Sequence, residues 1–377
     1  MISLNRVSAS RRLPGNTRGR SLSALPSRFP PSRRVFKQRL ENWLLSAVQF
    51  ERGRDCGAVI GSISNNDGPE YLYPEAAGYF LTWLAFIGLS RPDASIRAFR
   101  AVSWLSQQAG STDALLTRFP LNGRAPDWRN RGFFSFDLAM MCRGVAAVRD
   151  CVPRDLAQEC LDRLLRLYAR FCPGDGTLTA VLPRDSTALG GLPSRWSTRP
   201  GPYQLKPAAA ILAIPRDIAG APLHDEMKTV YFSWRNHCQE EPRRVALHPL
   251  LYHVEGLLLG FDCGIDPGGL AVARSLYPSI LRRVERHCPR SDVLAQALRA
   301  GCLLLGETGD IGAMARLCGK LSSFLDANGA LLFRRALDGG VRHWNTWSAI
   351  FGHQGLTFFD RVDRGTSPER AGMELLA

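Results

Sequence analysis

Apolar residues recur along this chain in two distinct helical patterns. In the first they fall at three- and four-residue spacing with charges between them, which describes a helix with one buried stripe and one wet face. Segments 36–50, 93–108, 154–171, 222–238, 268–287 and 309–326 read this way. In 154–171, Leu156, Cys160, Leu161, Leu164, Leu165, Tyr168 and Phe171 make a single stripe, and the arginines and acids fall off it. The second pattern is apolar nearly all round and covers 75–89, 135–149, 205–215, 248–262, 291–306 and 344–360. A helix without a polar face must be enclosed by protein.

The two kinds alternate strictly, six of each. The packing solution is an inner ring of dry helices wrapped by the amphipathic ones, an all-α (α/α)6 toroid formed by one domain over residues 36–361. An α-solenoid of helical pairs is the rival, but it does not require every second helix to be apolar on all sides. The β signal is slight, limited to short segments such as "DCGAVIGSI" and "GALLFRRA" that suit small hairpins in loops.

Loop lengths add a second asymmetry. Connections from a dry helix to the next wet one are short (90–92, 150–153, 216–221, 263–267, 307–308). Those from wet to dry are mostly long (51–74, 109–134, 172–204, 239–247, 327–343). Long loops carry function more often than short ones. The site is therefore expected where these loops lead into the N-terminal ends of the inner helices.

Composition changes this picture only at the ends. The formal net charge of +14 suggests nucleic-acid binding until it is located. Residues 1–40 hold ten Arg or Lys and no acid, so the remaining chain is near neutral and a nucleic-acid partner is not expected. Residues 1–35 are rich in Arg, Ser and Pro without apolar periodicity and are expected to be a disordered tail, either dispensable or a transit peptide. A second flexible tail is expected at 362–377. Arginine outnumbers lysine, 44 to 4, which fits a GC-rich bacterial genome. Ten cysteines sit mostly at apolar helical positions with no C-x-x-C pair, the pattern of a reduced, cytoplasmic protein with free thiols. No apolar run reaches the roughly 18 residues that span a membrane.

Four stretches carry a resemblance: "YLYPEAAGYFLTWLAFIG", "FSFDLAMMCRG", "HPLLYHVEGLLLG" and "RHWNTWSAIFGHQGL". They resemble the inner-helix starts of six-hairpin glycosidase-like and terpenoid-cyclase-like toroid proteins, and the likeness covers roughly residues 40–360. It implies the toroid fold. It leaves the activity open, because that superfamily includes hydrolases, lyases, epimerases and cyclases.

The candidate chemistry collects at one end of the ring. Tyr71 and Glu75 lie at the start of the first inner helix, where Glu75 is either a site carboxylate or a helix-dipole partner. Trp128 and Asp137 precede and open the second; Asp137 inside "FFSFDLAMM" is either a cap or a site carboxylate. Arg195, Trp196, Arg199 and Lys206 lead into the third, an arrangement suited to an anion or a sugar ring. His248 and Tyr252 share a stripe of the fourth, with Glu255 about 10 Å along the axis, deep enough to pair with a neighbouring helix. The fifth offers nothing evident. The sixth brings His343, Trp344, Asn345 and Trp347.

These groups suit a carbohydrate-active enzyme acting on a small-molecule or oligosaccharide substrate, an anionic one in particular. A hydrolase would use Glu75 and Asp137 as acid and base; a lyase or epimerase would use His248, Tyr252, Asn345 and Arg199. The alternatives are a non-catalytic toroid binding a glycan or biosynthetic partner, and a tailoring enzyme of a biosynthetic cluster. A terpenoid cyclase is disfavoured, since neither D-x-D-D nor D-D-x-x-D occurs. No cofactor motif and no metal-ligand spacing is present in the sequence, so no cofactor and no metal are expected. No membrane partner is expected, and the oligomeric state is left open.

Overall fold

A computed structural model describes residues 32–110, 114–184, 192–238, 245–305, 310–335 and 340–365. Most of the expected basic tail (1–31) and of the C-terminal tail (366–377) lies outside the described residues. The first helix nevertheless begins at Arg33, inside the stretch expected to be tail, because the Ser32 hydroxyl accepts a hydrogen bond from the Val35 N–H and caps it. The last helix runs to Asp363, two residues past the expected boundary.

Six inner helices form the ring: α2 (Pro74–Ile87), α4 (Ser135–Val148), α6 (Leu205–Leu212), α9 (Leu247–Asp262), α11 (Ser291–Leu305) and α13 (Thr346–Asp363). Each packs on the next, and α13 returns to α2, so the ring closes. Outside lie α1 (Arg33–Ala47), α3 (Pro92–Gly110), α5 (Arg154–Ala169), α8 (Ala221–Trp234), α10 (Gly269–Arg286) and α12 (Ile311–Ser322). Each outer helix packs against inner ones, which is the (α/α)6 toroid anticipated from the alternating pattern. A short α7 (Arg216–Ala219) connects α6 to α8. The third inner helix stops at Leu212, three residues short of expectation, because Pro215 disfavours helical backbone at the residue before it. Among the described residues no helix is long and apolar enough to cross a membrane.

Glycines set the closest approach within the ring. A Cβ on Gly78 of α2 would lie 2.4 Å from the Met140 carbonyl oxygen, and one on Gly144 of α4 would lie 2.4 Å from the Gly78 oxygen. The two backbones touch there, and no side chain fits between them. Gly78→Ala is expected to force α2 and α4 apart and to cost about 1–3 kcal/mol, as overpacking does. Thermal denaturation with a melting point unchanged from wild type would contradict this contact.

The wet-to-dry loops are where sheet enters. β1 (Ile60–Ser64) and β2 (Gly68–Leu72) pair antiparallel, β3 (Phe119–Pro120) adds to β2, and β6 (His343–Asn345) adds to β1. This four-stranded sheet ties the first loop to the last, so the ring is closed by backbone pairing as well as by helix packing. A smaller pair joins β4 (Gly132–Phe134) and β5 (Val181–Pro183). Both sheets lie beside the N-terminal ends of inner helices.

A buried charge cluster occupies the middle of the ring. Lys206 Nζ lies 2.8 Å from Glu255 Oε2, and both side chains are 0% exposed. Arg299 donates through Nε to Glu255 Oε1 at 3.0 Å and through Nη1 to Gln354 at 2.8 Å. Burial drives the Lys206 ammonium down to about 7 although Glu255 opposes it, and the cations beside Glu255 hold its carboxyl below the usual range against the burial that would raise it. Glu255 is thus the structural partner that its depth along the helix suggested.

Candidate active site

The inner-helix N-termini and the long loops enclose a cavity of about 710 Å³. At its floor Glu75, in the first turn of α2, meets Asp137, in the first turn of α4. Glu75 accepts a hydrogen bond from the Tyr73 hydroxyl, and the Asp137 carboxyl stands beside it with Oδ2 buried and without a hydrogen-bond partner. Asp137 does not cap its helix: the N-cap of α4 is Phe134, without a side-chain bond. Burial, then the charge of Glu75, raise the Asp137 carboxyl well above the usual range. Burial also raises Glu75, while hydrogen bonding and the charge of Lys206 oppose that rise. Neighbouring carboxyls disfavour each other's ionisation, and the upward push is the stronger on Asp137.

Below the pair, Tyr79 and Tyr252 lie with hydroxyl oxygens 3.3 Å apart, and Lys206 Nζ sits 4.9 Å from the Tyr252 ring centre. His248 occupies the adjoining wall. The Gln296 amide nitrogen donates to Glu255, so its oxygen faces His248 and accepts from Nδ1–H at 2.7 Å. This leaves Nε2 as the basic nitrogen. Burial lowers the imidazole to about 4, so it is neutral at physiological pH.

Aromatic rings and arginines form the upper walls. Trp196 packs on Tyr252 and His248 with ring centres 5.7 and 5.6 Å away. Trp347 packs edge-on to Tyr73, and its indole N–H donates to Asp292 at 3.3 Å. Arg118 lies 4.1 Å over the Tyr71 ring and pairs with Asp127 at 2.9 Å, and Arg129 lies over Trp128. Arg124 pairs with Glu70 at 2.8 Å, and Glu70 also meets His343 Nδ1 at 3.3 Å. Arg195, Arg290 and Arg334 complete the lining cations. Six arginines thus face four carboxyls (Glu70, Glu75, Asp127 and Asp137), and the described lining is net positive.

Eleven of the residues singled out in the sequence line this cavity: Glu75, Asp137, His248, Tyr252, Tyr71, Trp128, Arg195, Trp196, His343, Asn345 and Trp347. Three do not. Lys206 is turned inward to Glu255, where the buried carboxylate holds its ammonium at 2.8 Å. Arg199 is exposed on the loop, where its carbonyl accepts from the Tyr203 hydroxyl at 3.1 Å. Trp344 is buried behind the sheet with its indole bonded to Asp326 at 3.0 Å, since β alternation points it away from its neighbours His343 and Asn345.

The fifth inner helix also differs from expectation. Arg290, immediately before α11, lines the cavity and is held by Asp292, with Nε to Oδ1 at 3.0 Å. Glu70, Arg118, Arg124, Arg129, Arg290 and Arg334 are lining residues that periodicity did not single out. The clustering of arginines between 118 and 131 was the available signal for three of them. The expected positive potential is present, but it comes largely from these arginines and not from Arg199 or Lys206.

No family model and no curated protein matches the sequence. Solved structures do match. The cellobiose 2-epimerase of Spirochaeta thermophila aligns at TM-score 0.64 and 14% identity, covering 90% of this chain and 99% of its own. A D-mannose isomerase aligns at 0.60 and 12%, over 88% and 97%. An unsaturated glucuronyl hydrolase specific for heparin aligns at 0.58 and 11%, over 88% and 96%. With coverage this complete on both sides, this chain shares the (α/α)6 toroid fold of these structures.

Proposed function

We propose that the protein is a carbohydrate-active hydrolase for an anionic sugar, with Asp137 as the proton donor. The observation that carries this reading is the buried Glu75–Asp137 pair in an arginine-rimmed cavity, whose members perturb each other's protonation. The sequence suggests the two carboxylates as an acid and a base across the scissile bond, where inverting pairs stand roughly 6.5–9.5 Å apart and retaining pairs about 5 Å. Their mutual coupling supports a single acid unit instead. Acting together they make one acid: Asp137 gives the proton, and Glu75, held by Tyr73, keeps the complementary charge. Such a unit suits a sugar that becomes cationic on a single protonation, such as an unsaturated uronide whose ring enol ether takes the proton at carbon before water adds. An unsaturated glucuronyl hydrolase is among the similar structures. The lining arginines supply what a uronate carboxylate requires.

The test is turnover of unsaturated uronyl disaccharides, followed by loss of the enol-ether absorbance, beside saturated uronides and neutral disaccharides. Turnover confined to uronides is the expected result; a preparation active only on neutral sugars would overturn the proposal. The pH profile gives a second check. Asp137 must be protonated, so kcat/KM should fall as pH rises through its raised pKa. Glu75→Gln removes the charge that helps raise it, so this alkaline limb should move to lower pH in the variant. A limb that stays in place or moves upward would remove Asp137 from the donor role.

A second reading rests on His248, whose neutral imidazole with Nε2 unprotonated could remove a proton next to a sugar carbonyl, as an epimerase or isomerase requires. Solvent deuterium incorporated at the carbon next to the carbonyl, abolished by His248→Ala and retained in Asp137→Asn, would select it.

A further inference from the structure

We propose that a second cavity beside the first is an outer subsite for another anionic unit of the same ligand, so that the preferred ligand is an acidic oligosaccharide charged on successive sugars. This rests on reading the main cavity as an anionic-sugar site. The second cavity measures about 370 Å³ and shares Arg334 with the first. Both volumes fall within the roughly 300–1,000 Å³ usual for ligand pockets. Its charged lining consists of Arg286, His287, Lys320, Arg334 and Arg335, with no carboxylate among the lining residues.

Two neighbouring acids among the described residues are engaged elsewhere. The Glu285 carboxylate pairs with Arg316 at 2.8 Å, and the Glu285 carbonyl accepts from Lys320. Asp292 is held by Arg290 on the side of the main cavity. Among the described residues the cations of the second cavity therefore have no carboxylate partner.

Backbone pairing sets the two cavities side by side. Arg290 and Arg334 form an antiparallel bridge, and the Ser291 N–H donates to the Phe333 carbonyl at 3.2 Å. Phe333, on the wall of the main cavity, lies 5.0 Å from the Arg290 guanidinium and 5.7 Å from that of Arg334. Arg335 is oriented toward the second cavity by a 2.6 Å bond to Ser323 and by the ring of Phe324. An ordinary solvated basic face is convex and disconnected from other sites. This one is concave and adjoins a net-positive cavity, so a chain whose terminal unit lies on the floor would carry its next charges past Arg334 into it.

The test is direct binding by tryptophan fluorescence, using three probes: a uronate disaccharide, a tetrasaccharide charged on every unit, and a tetrasaccharide charged only at its terminal unit. Wild-type protein should bind the fully charged tetrasaccharide at least tenfold more tightly than the singly charged one. The Arg286→Ala/Arg335→Ala variant should lose roughly tenfold for the fully charged probe, as two rim contacts imply. Its affinity for the other two probes should be unchanged, which also shows that it is folded. Equal binding of both tetrasaccharides by the wild type, or uniform weakening of all three probes in the variant, would overturn the outer subsite. The readout needs no turnover. A failure of the hydrolase reading thus appears as binding without reaction, and a failure of the subsite as reaction without a length preference.

Discussion

Asp137→Asn is expected to lower turnover by at least 10²–10⁴-fold, the range that a positioned general acid contributes, while changing substrate affinity less than about threefold. Asparagine keeps the shape, but it has no proton to transfer. Stability should move the other way. The Asp137 carboxyl has a folded-state pKa raised above its unfolded value, so the folded state binds more protons between those two values and loses stability as pH rises through that window. At neutral pH the uncharged amide avoids this cost, and the melting temperature of the variant should equal or exceed that of the wild type. Steady-state kinetics on a uronide that the wild type cleaves, with thermal denaturation in parallel, decide both points. A variant retaining more than a tenth of the activity would show that the proton comes from another group.

Glu255→Gln should produce the largest loss of stability. It leaves Lys206 and Arg299 in a closed interior without the carboxylate that both contact. Breaking a buried ion pair by removing one partner costs about 3–5 kcal/mol, which in a chain of this size lowers the melting temperature by on the order of 5 °C. Lys206→Met should cost much less, because Glu255 keeps Arg299 and Gln296, and methionine fills much of the lysine volume.

The pH dependence separates this account from a simple packing defect. Lys206 already has a folded pKa of about 7, below its unfolded value, so the unfolded chain binds more protons above that pH and stability rises with pH until the unfolded lysine itself titrates. Without Glu255 the folded pKa falls further and the rising region opens at lower pH, making melting temperature climb more steeply between pH 6 and 8 in the variant than in the wild type. Parallel curves would show that Lys206 does not depend on Glu255 for its charge.

The site was only partly legible before folding. Glu75, Asp137 and His248 could be singled out because a polar group at the start of an otherwise dry helix has few places to go except a cavity. The same reasoning failed for Lys206 and Trp344. Lys206 met the same criterion, but a carboxylate on a neighbouring helix, Glu255, draws it to the ring interior. Trp344 sits in a strand, where the face changes at every residue. Arg290 was missed for the opposite reason: a short loop ahead of α11 offered no sign that the 333–334 backbone would pair with it and hold it at the rim.

Hydrophobic periodicity by itself determined the toroid. Six enclosed and six half-wet helices in strict alternation have few ways to bury their surfaces, and burial is a property of each helix that its own sequence reports. Loop asymmetry likewise indicated which end of the ring should be elaborated. Tertiary structure alone decided that Glu75 and Asp137 share one cavity closely enough to perturb each other's protonation, that a four-stranded sheet joins the first loop to the last, and that Arg334 belongs to two cavities at once. Each of these depends on the separation of groups far apart in the chain. Periodicity reports which face of an element is buried, but not how far it lies from another element, and the chemistry of a carboxyl pair turns on that distance.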